Sequence, residues 1–334
     1  GSHAGKVYGS VTPTEDFTIP AGYTLTIDNG TTLTIPEGVT LTNNGTINVD
    51  VGTLTNNGTT ANNGTISGDV GGTGNTLVNT HYLDTNNVTQ DIQANLVTTG
   101  STTWTGSDPD GGWYVVQGKV DIGSLVTVTG NVNLILADGC NLTVNGGINV
   151  SEGNSLTIYG QSGGTGKLIA TGHNSNQAGI GGKLDSAGGT ITINGGTVNA
   201  TGAGGGAGIG GSWGCAFESI TINSGTVTAT GGIGGAGIGS GRVGGAGGTI
   251  TINGGHVTAN GSQGTQRYYC AGIGGGFQGA GGSITINGGV VNAHGGWTGI
   301  GSGEQASAES TCEVKVNGGI VTATGDNDAG IGGT

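Results

Sequence analysis

Between Phe17 and Leu41 the chain sets a large apolar residue at every eighth position, Phe17, Leu25, Leu33 and Leu41, and alternates apolar residues with threonine around each. Alternation with period two sends Leu and Ile to one face and Thr to the other, which is the signature of a half-buried strand. Pro20, Pro36 and Gly45 interrupt the runs where corners would fall. Three such units predict a triangular coil of about 24 residues, a period typical of solenoids.

The second half repeats on a longer scale. An apolar-Thr-apolar-Asn signature ends at Asn194, Asn223, Asn253, Asn287 and Asn317, with a looser version at Asn145. A Gly-Ile-Gly marker runs in phase at Ile180, Ile209, Ile238, Ile273, Ile300 and Ile331. Repeats of roughly 30 residues predict one coil each. Within a coil, Ile191 and Ile193 are expected inward on one side, Val198 and Ala200 on the second, and Ile209 on the third. Asn194 is expected at the corner, where asparagine tolerates a left-handed backbone and where stacked amides would bond along the axis.

The reading is an all-β parallel solenoid with about 24-residue coils at the N-terminus and about 30-residue, glycine-rich coils at the C-terminus. Residues 1–10 read as an expression-tag remnant and lead-in, 11–75 as the short-coil segment, 76–112 as an irregular insertion or a junction, and 113–334 as the glycine-rich segment.

Composition narrows the alternatives. Glycine supplies 81 of 334 residues, yet only 4 prolines and no strict third-position glycine argue against collagen. The recurring Val, Ile and Leu argue against disorder. A net charge of −13 with only 7 Lys and Arg leaves no basic stripe for nucleic acid. Polyanionic glycans are disfavoured for the same reason unless a cation bridges them, and neutral sugars fit better. Cys140, Cys215, Cys270 and Cys312 lack any CxxC spacing and read as free thiols. No apolar run reaches the ~20 residues of a membrane-spanning helix.

The segment from Gly111 to Gly172, followed by "AGIGG" and "TITINGGTV" units, resembles the glycine-rich repeats of large surface proteins of Gram-positive bacteria. It is similar, more distantly, to secreted carbohydrate-binding proteins of the right-handed parallel β-helix class, and the likeness covers about residues 112–334. The resemblance implies a right-handed β-helix in an extracellular, secreted or cell-wall-associated protein that binds polysaccharide or a host or plant glycan, in some relatives with calcium. This chain departs from the calcium-rich relatives in having few acidic clusters in its coils.

Aligning the coils on the Gly-Ile-Gly isoleucine makes the residue four places later read Leu184, Trp213, Arg242, Phe277, Glu304. The residue three places earlier reads Gln177, Gly206, Gly235, Cys270, Trp297, Asp328, and Phe217, Arg267, Tyr268 and Tyr269 fall in the same loops. Trp213, Arg242, Arg267, Tyr268, Tyr269, Phe277, Trp297 and Glu304 are therefore the candidate ligand-binding strip, since sugar faces stack on rings and hydroxyls bond to Arg and Glu. The competing reading packs these side chains over one another. Asp108 and Asp110 in "SDPDGG", and Asp326 and Asp328 in "GDNDAG", are candidate calcium loops, although neither completes an EF-hand. No cofactor is required. Catalytic readings need two facing carboxylates, and the acidic residues here are scattered. A binding module, a stiff spacer and a polysaccharide-degrading enzyme remain as the three readings.

Overall fold

The computed structural model describes residues 3–67, 70–72, 74–107, 111–173, 176–244, 247–262, 268–307 and 312–332. These wind into a right-handed parallel β-helix made of two successive bores. Each bore has three walls. One wall, a 13-stranded sheet from Phe17–Ile19 to Cys312–Val316, runs through both. The other two walls of the N-terminal bore are four-stranded, whereas those of the C-terminal bore have nine and eight strands.

The eight-residue rhythm closes the first coil as the pattern requires: Phe17 pairs with Leu41, while Leu25 and Leu33 stand on the other two walls. Later coils of this segment are shorter than expected. Leu41 pairs with Thr60, and Thr60 with Thr76. Small residues at these turns close the coil with less chain, and Thr60 and Thr76 replace leucine in the stack.

In the C-terminal bore the inward positions form continuous columns. Leu134, Ile158, Ile193, Ile222, Ile252 and Ile286 succeed one another on the shared wall, and all are buried. Val198, Val227, Val257 and Val291 stack on the second wall, and Ile180 through Ile331 on the third. A buried isoleucine contributes roughly 1.5–3 kcal/mol, so stability accrues coil by coil. Trp104 and Tyr114, with ring centroids 5.8 Å apart, plug the start of this bore.

The third wall is only two residues wide per coil. The glycine after each isoleucine has φ between +125° and +147° from Gly181 to Gly332. A Cβ at Gly181, Gly210, Gly239, Gly274 or Gly301 would overlap the carbonyl oxygen of the next coil. The marker is therefore a close-approach column that only glycine fills.

The corner asparagines form the expected ladder. Each side-chain amide donates to the previous one: Asn223 to Asn194, Asn253 to Asn223, Asn287 to Asn253 and Asn317 to Asn287, at 2.7–2.8 Å. Tolerance of a left-handed backbone is not why asparagine stands at this corner. None of these asparagines has a positive φ; Gly196, Gly225, Gly255, Gly289 and Gly319 take it instead, at +76° to +92°. Asparagine is there for its amide.

Residues 76–112 contain a hairpin. Strand Asn75–Leu83 pairs antiparallel with Thr89–Leu96, which then pairs parallel with Trp113–Val116. Strand direction on the shared wall thus reverses. The inward face reverses too. Leu41, Thr60, Thr76, Val78, Ala94, Leu96, Val115 and Ile135 align on one face; Leu41 faces the first bore, whereas Val115 and Ile135 lie outside the second, in a cluster with Val78, Tyr82, Trp113 and Tyr159.

Candidate functional site

The long connections of the C-terminal coils collect on one flank, on either side of the Gly-Ile-Gly strands. Backbone hydrogen bonds hold them in register. The N–H groups of Trp213, Arg242, Phe277 and Glu304 donate to the carbonyls of Asn176, Gly205, Gly234 and Tyr269, at 3.0, 2.7, 2.8 and 3.0 Å. Each bond ties the residue four places after one isoleucine to the loop of the preceding coil. The flank is thus a zipper.

Its centre is Arg242. The guanidinium carbon lies 4.5 Å from the Trp213 ring centroid, 3.4 Å from that of Tyr268 and 5.8 Å from that of Phe277. Tyr268 meets Phe277 edge-on at 5.0 Å. The guanidinium therefore lies against the rings of Trp213 and Tyr268, and such contacts contribute about 0.5–2 kcal/mol each. Nε of Arg242 is buried without a hydrogen-bond partner, and no described carboxylate forms an ion pair with the side chain. Gly205 makes room for the stack, since a Cβ there would press on the Trp213 ring and on Cβ of Arg242.

Tyr269 and Glu304 form the next step along the axis, with a Glu304 carboxylate oxygen 3.3 Å from the Tyr269 N–H. The Tyr269 ring lies over Gly296. Trp297 donates its N–H to Cys270 O, and Asp328 donates to Trp297 O. Trp213, Arg242, Tyr268, Tyr269, Trp297 and Glu304 are half-buried, whereas Phe277 is only 6% exposed. Phe277 is thus a floor under the cluster, and the ring faces that meet Arg242 are occupied. Phe217, read as a loop aromatic, instead opens strand Phe217–Ile222 and packs into the bore.

All four cysteines are free. Cys270 is fully enclosed behind the flank, receives the Ser262 N–H at 3.0 Å, and burial pushes its thiol up to about 12.

Asp108, Asp110 and Arg267 lie outside the described residues. Asp326 is exposed and paired with His294, Oδ1 to Nε2 at 2.8 Å. Asp326 and Asp328 both give their N–H groups to the preceding coil. Among the described residues no group of three or more His, Cys, Asp or Glu comes together to hold a metal ion. No helix among them is long and apolar enough to cross a membrane.

Sequence reasoning missed a second recess. At the junction, strands Val70–Gly71 and Thr103–Thr105 are sheet edges and border a cavity of about 280 Å³ whose lining carries no charged residue. Hydroxyl-bearing Thr76, Ser101, Thr103 and Tyr114 contribute to its wall. The signal available was the cluster of Ser and Thr at 98–103.

Residues 191–213, 220–242, 250–277, 284–304 and 314–334 match a family model described as a β-helix repeat. Each match begins at the first inward residue of the shared wall, and four end on Trp213, Arg242, Phe277 and Glu304. Searches of curated proteins and of solved structures give no match. Together with the stacked parallel walls, the repeat match makes the chain a parallel β-helix protein.

Proposed function

We propose that the chain is a non-catalytic binding module of a secreted or cell-wall-associated protein, which holds a glycan along the flank carrying Trp213, Arg242, Tyr268, Tyr269, Trp297 and Glu304. The observation that carries it is the register of the flank. Backbone bonds from coil to coil hold the loops that carry these side chains in register, on a solenoid whose aromatics amount to 4% of its residues. Parallel coils repeat about every 4.8 Å, so neighbouring steps present contacts at a spacing that adjacent sugar rings span. With Trp213 and Tyr268 facing Arg242, the sugar contacts fall on ring edges, on Trp297 and on the outward guanidinium nitrogens. Affinity electrophoresis through gels containing individual polysaccharides tests this. Retardation by at least one polysaccharide is expected, lost in the Trp213→Ala, Trp297→Ala double variant; a chain that no polysaccharide retards defeats the reading.

A second reading is a stiff spacer that projects other domains. It is favoured by the self-packing of Trp213, Arg242, Tyr268 and Phe277, which cross-braces loops of successive coils.

A further inference from the structure

The Arg242 clamp has a chemical specificity that the general reading does not contain. A guanidinium satisfied by acids spends its planar N–H edge on a carboxylate, and such bidentate pairs are the strong ones. The Arg242 guanidinium lies over the rings of Trp213 and Tyr268, at 4.5 and 3.4 Å, and forms no ion pair with a described acid. The carboxylate of Glu304, on the same flank, is bonded to the Tyr269 N–H. The chain has 20 Asp and Glu against 7 Lys and Arg, so acids to pair with Arg242 were abundant in composition and are not placed there.

We propose that Arg242 reads a carboxylate on the bound glycan, so that the flank prefers sugars carrying an isolated acidic residue in an otherwise neutral chain. This rests on the flank being the glycan site. Contact with the Trp213 and Tyr268 rings restrains the guanidinium, and its two terminal nitrogens meet the carboxylate oxygens side by side. The flanking rings lower the local dielectric and strengthen that bond. The net charge of −13 sets the upper limit on acidity: a polyanion is repelled by the whole molecule, whereas one carboxylate interacts mainly with its neighbour because distant charges are screened beyond about 8 Å at physiological salt.

The test uses isothermal titration calorimetry with three probes: a xylo-oligosaccharide bearing one glucuronic acid, the same oligosaccharide with that carboxyl reduced to the alcohol, and one carrying a sulfate ester instead. The intact chain is expected to bind the acidic form at least tenfold more tightly than the reduced form. The sulfated form should also bind more tightly than the reduced form, since two oxygens of a tetrahedral oxyanion likewise meet the guanidinium fork. Arg242→Gln is expected to bring the acidic form down to the affinity of the reduced one. Arg242→Lys, which keeps the charge and guards against a folding artefact, is expected to lose most of the preference because an ammonium lacks the planar fork. Equal affinity for acidic and reduced forms overturns the proposal and leaves the flank as a neutral-glycan site. Failure of all three probes, together with no retardation in polysaccharide gels, overturns both.

Discussion

The asparagine ladder gives a prediction whose arithmetic comes from the connectivity. Asn253 donates to Asn223 and accepts from Asn287, so Asn253→Ala removes two side-chain bonds; Asn223→Ala and Asn287→Ala each do the same. A net hydrogen bond is worth about 0.5–1.5 kcal/mol. These amides are exposed or half-exposed, which favours the lower half, so each single variant should cost about 1–2 kcal/mol. None of the three has a positive φ, so alanine adds no backbone strain. The double variants separate a ladder from three independent surface residues. Asn223 and Asn253 share a bond, so removing both breaks three bonds where the singles together count four. The double loss should fall short of additivity by about 0.5–1 kcal/mol. Asn223 and Asn287 share none, and their losses should add. The measurement is urea unfolding followed by far-UV circular dichroism, with unchanged m confirming that the same surface unfolds. Strict additivity for Asn223 with Asn253, or the same shortfall for Asn223 with Asn287, refutes the ladder as an energetic unit.

Gly239→Ala puts a methyl group at φ +141° against the carbonyl of Gly274 and should cost more than about 3 kcal/mol, whereas Gly214→Ala, at φ +71° with open space around it, should cost about 1 kcal/mol; thermal unfolding ranks the two. The Cys270 thiol is raised in the folded state, so its contribution is complete below the unfolded thiol pKa near 9 and is lost as pH rises toward about 12. Stability should therefore fall by up to roughly 1.4 kcal/mol per pH unit across that window, less steeply in Cys270→Ala, and native Cys270 should resist a thiol reagent at pH 8 that labels it on unfolding. Asp84 receives the N–H groups of Asn86 and Val88 in the hairpin turn; hydrogen bonding from Val88 leads in lowering its pKa, so the turn loses support as pH falls through that lowered value, and Asp84→Ala should increase proteolytic nicking at residues 84–88 at neutral pH.

The bore was legible because its signals are local and repeated: period-two alternation, Asn at a fixed offset and Gly-Ile-Gly in phase all report on one coil at a time. Alignment of the coils puts their residues into columns, which is why one fixed offset from the Gly-Ile-Gly isoleucine collects Trp213, Arg242, Phe277 and Glu304 from the sequence alone. Tyr268 shows the limit. Its loop is longer than its sister loops, so no offset predicts that its ring closes on Arg242 from the next coil. Phe217 was misplaced because it stands three residues before Ile220, out of phase with the alternation of Ile220 and Ile222, so the period-two pattern does not mark it as inward although it is buried in the bore. The reversal of the shared wall was also hidden, since alternation reads the same in either direction. One trace of it was present. "WYVV" and "LILA" are apolar on both faces, which marks strands covered on two sides, and Val115 and Ile135 are covered by the hairpin cluster.

That covering explains how two bores join without a change of hand. Reversing strand direction alone, while the stack advances the same way, would turn a right-handed coil into a left-handed one. Moving the interior to the opposite face alone would do the same. The hairpin imposes both, and the two inversions cancel. The cost is that the outer face of the second bore's first coils is covered by the hairpin, and Trp113, Tyr159, Val115 and Ile135 are the apolar side chains that make this contact with Val78, Tyr82 and Ala94 favourable. Only the shared wall continues through the joint. The four other walls end or begin there, leaving the edge strands Val70–Gly71 and Thr103–Thr105 around the neutral cavity. The zipped flank lies on the far coils, anchored through Asn176, Gly205, Gly234 and Tyr269. A substitution at Tyr159 that loosens the joint should therefore leave the Arg242 clamp intact, and the two can be perturbed separately.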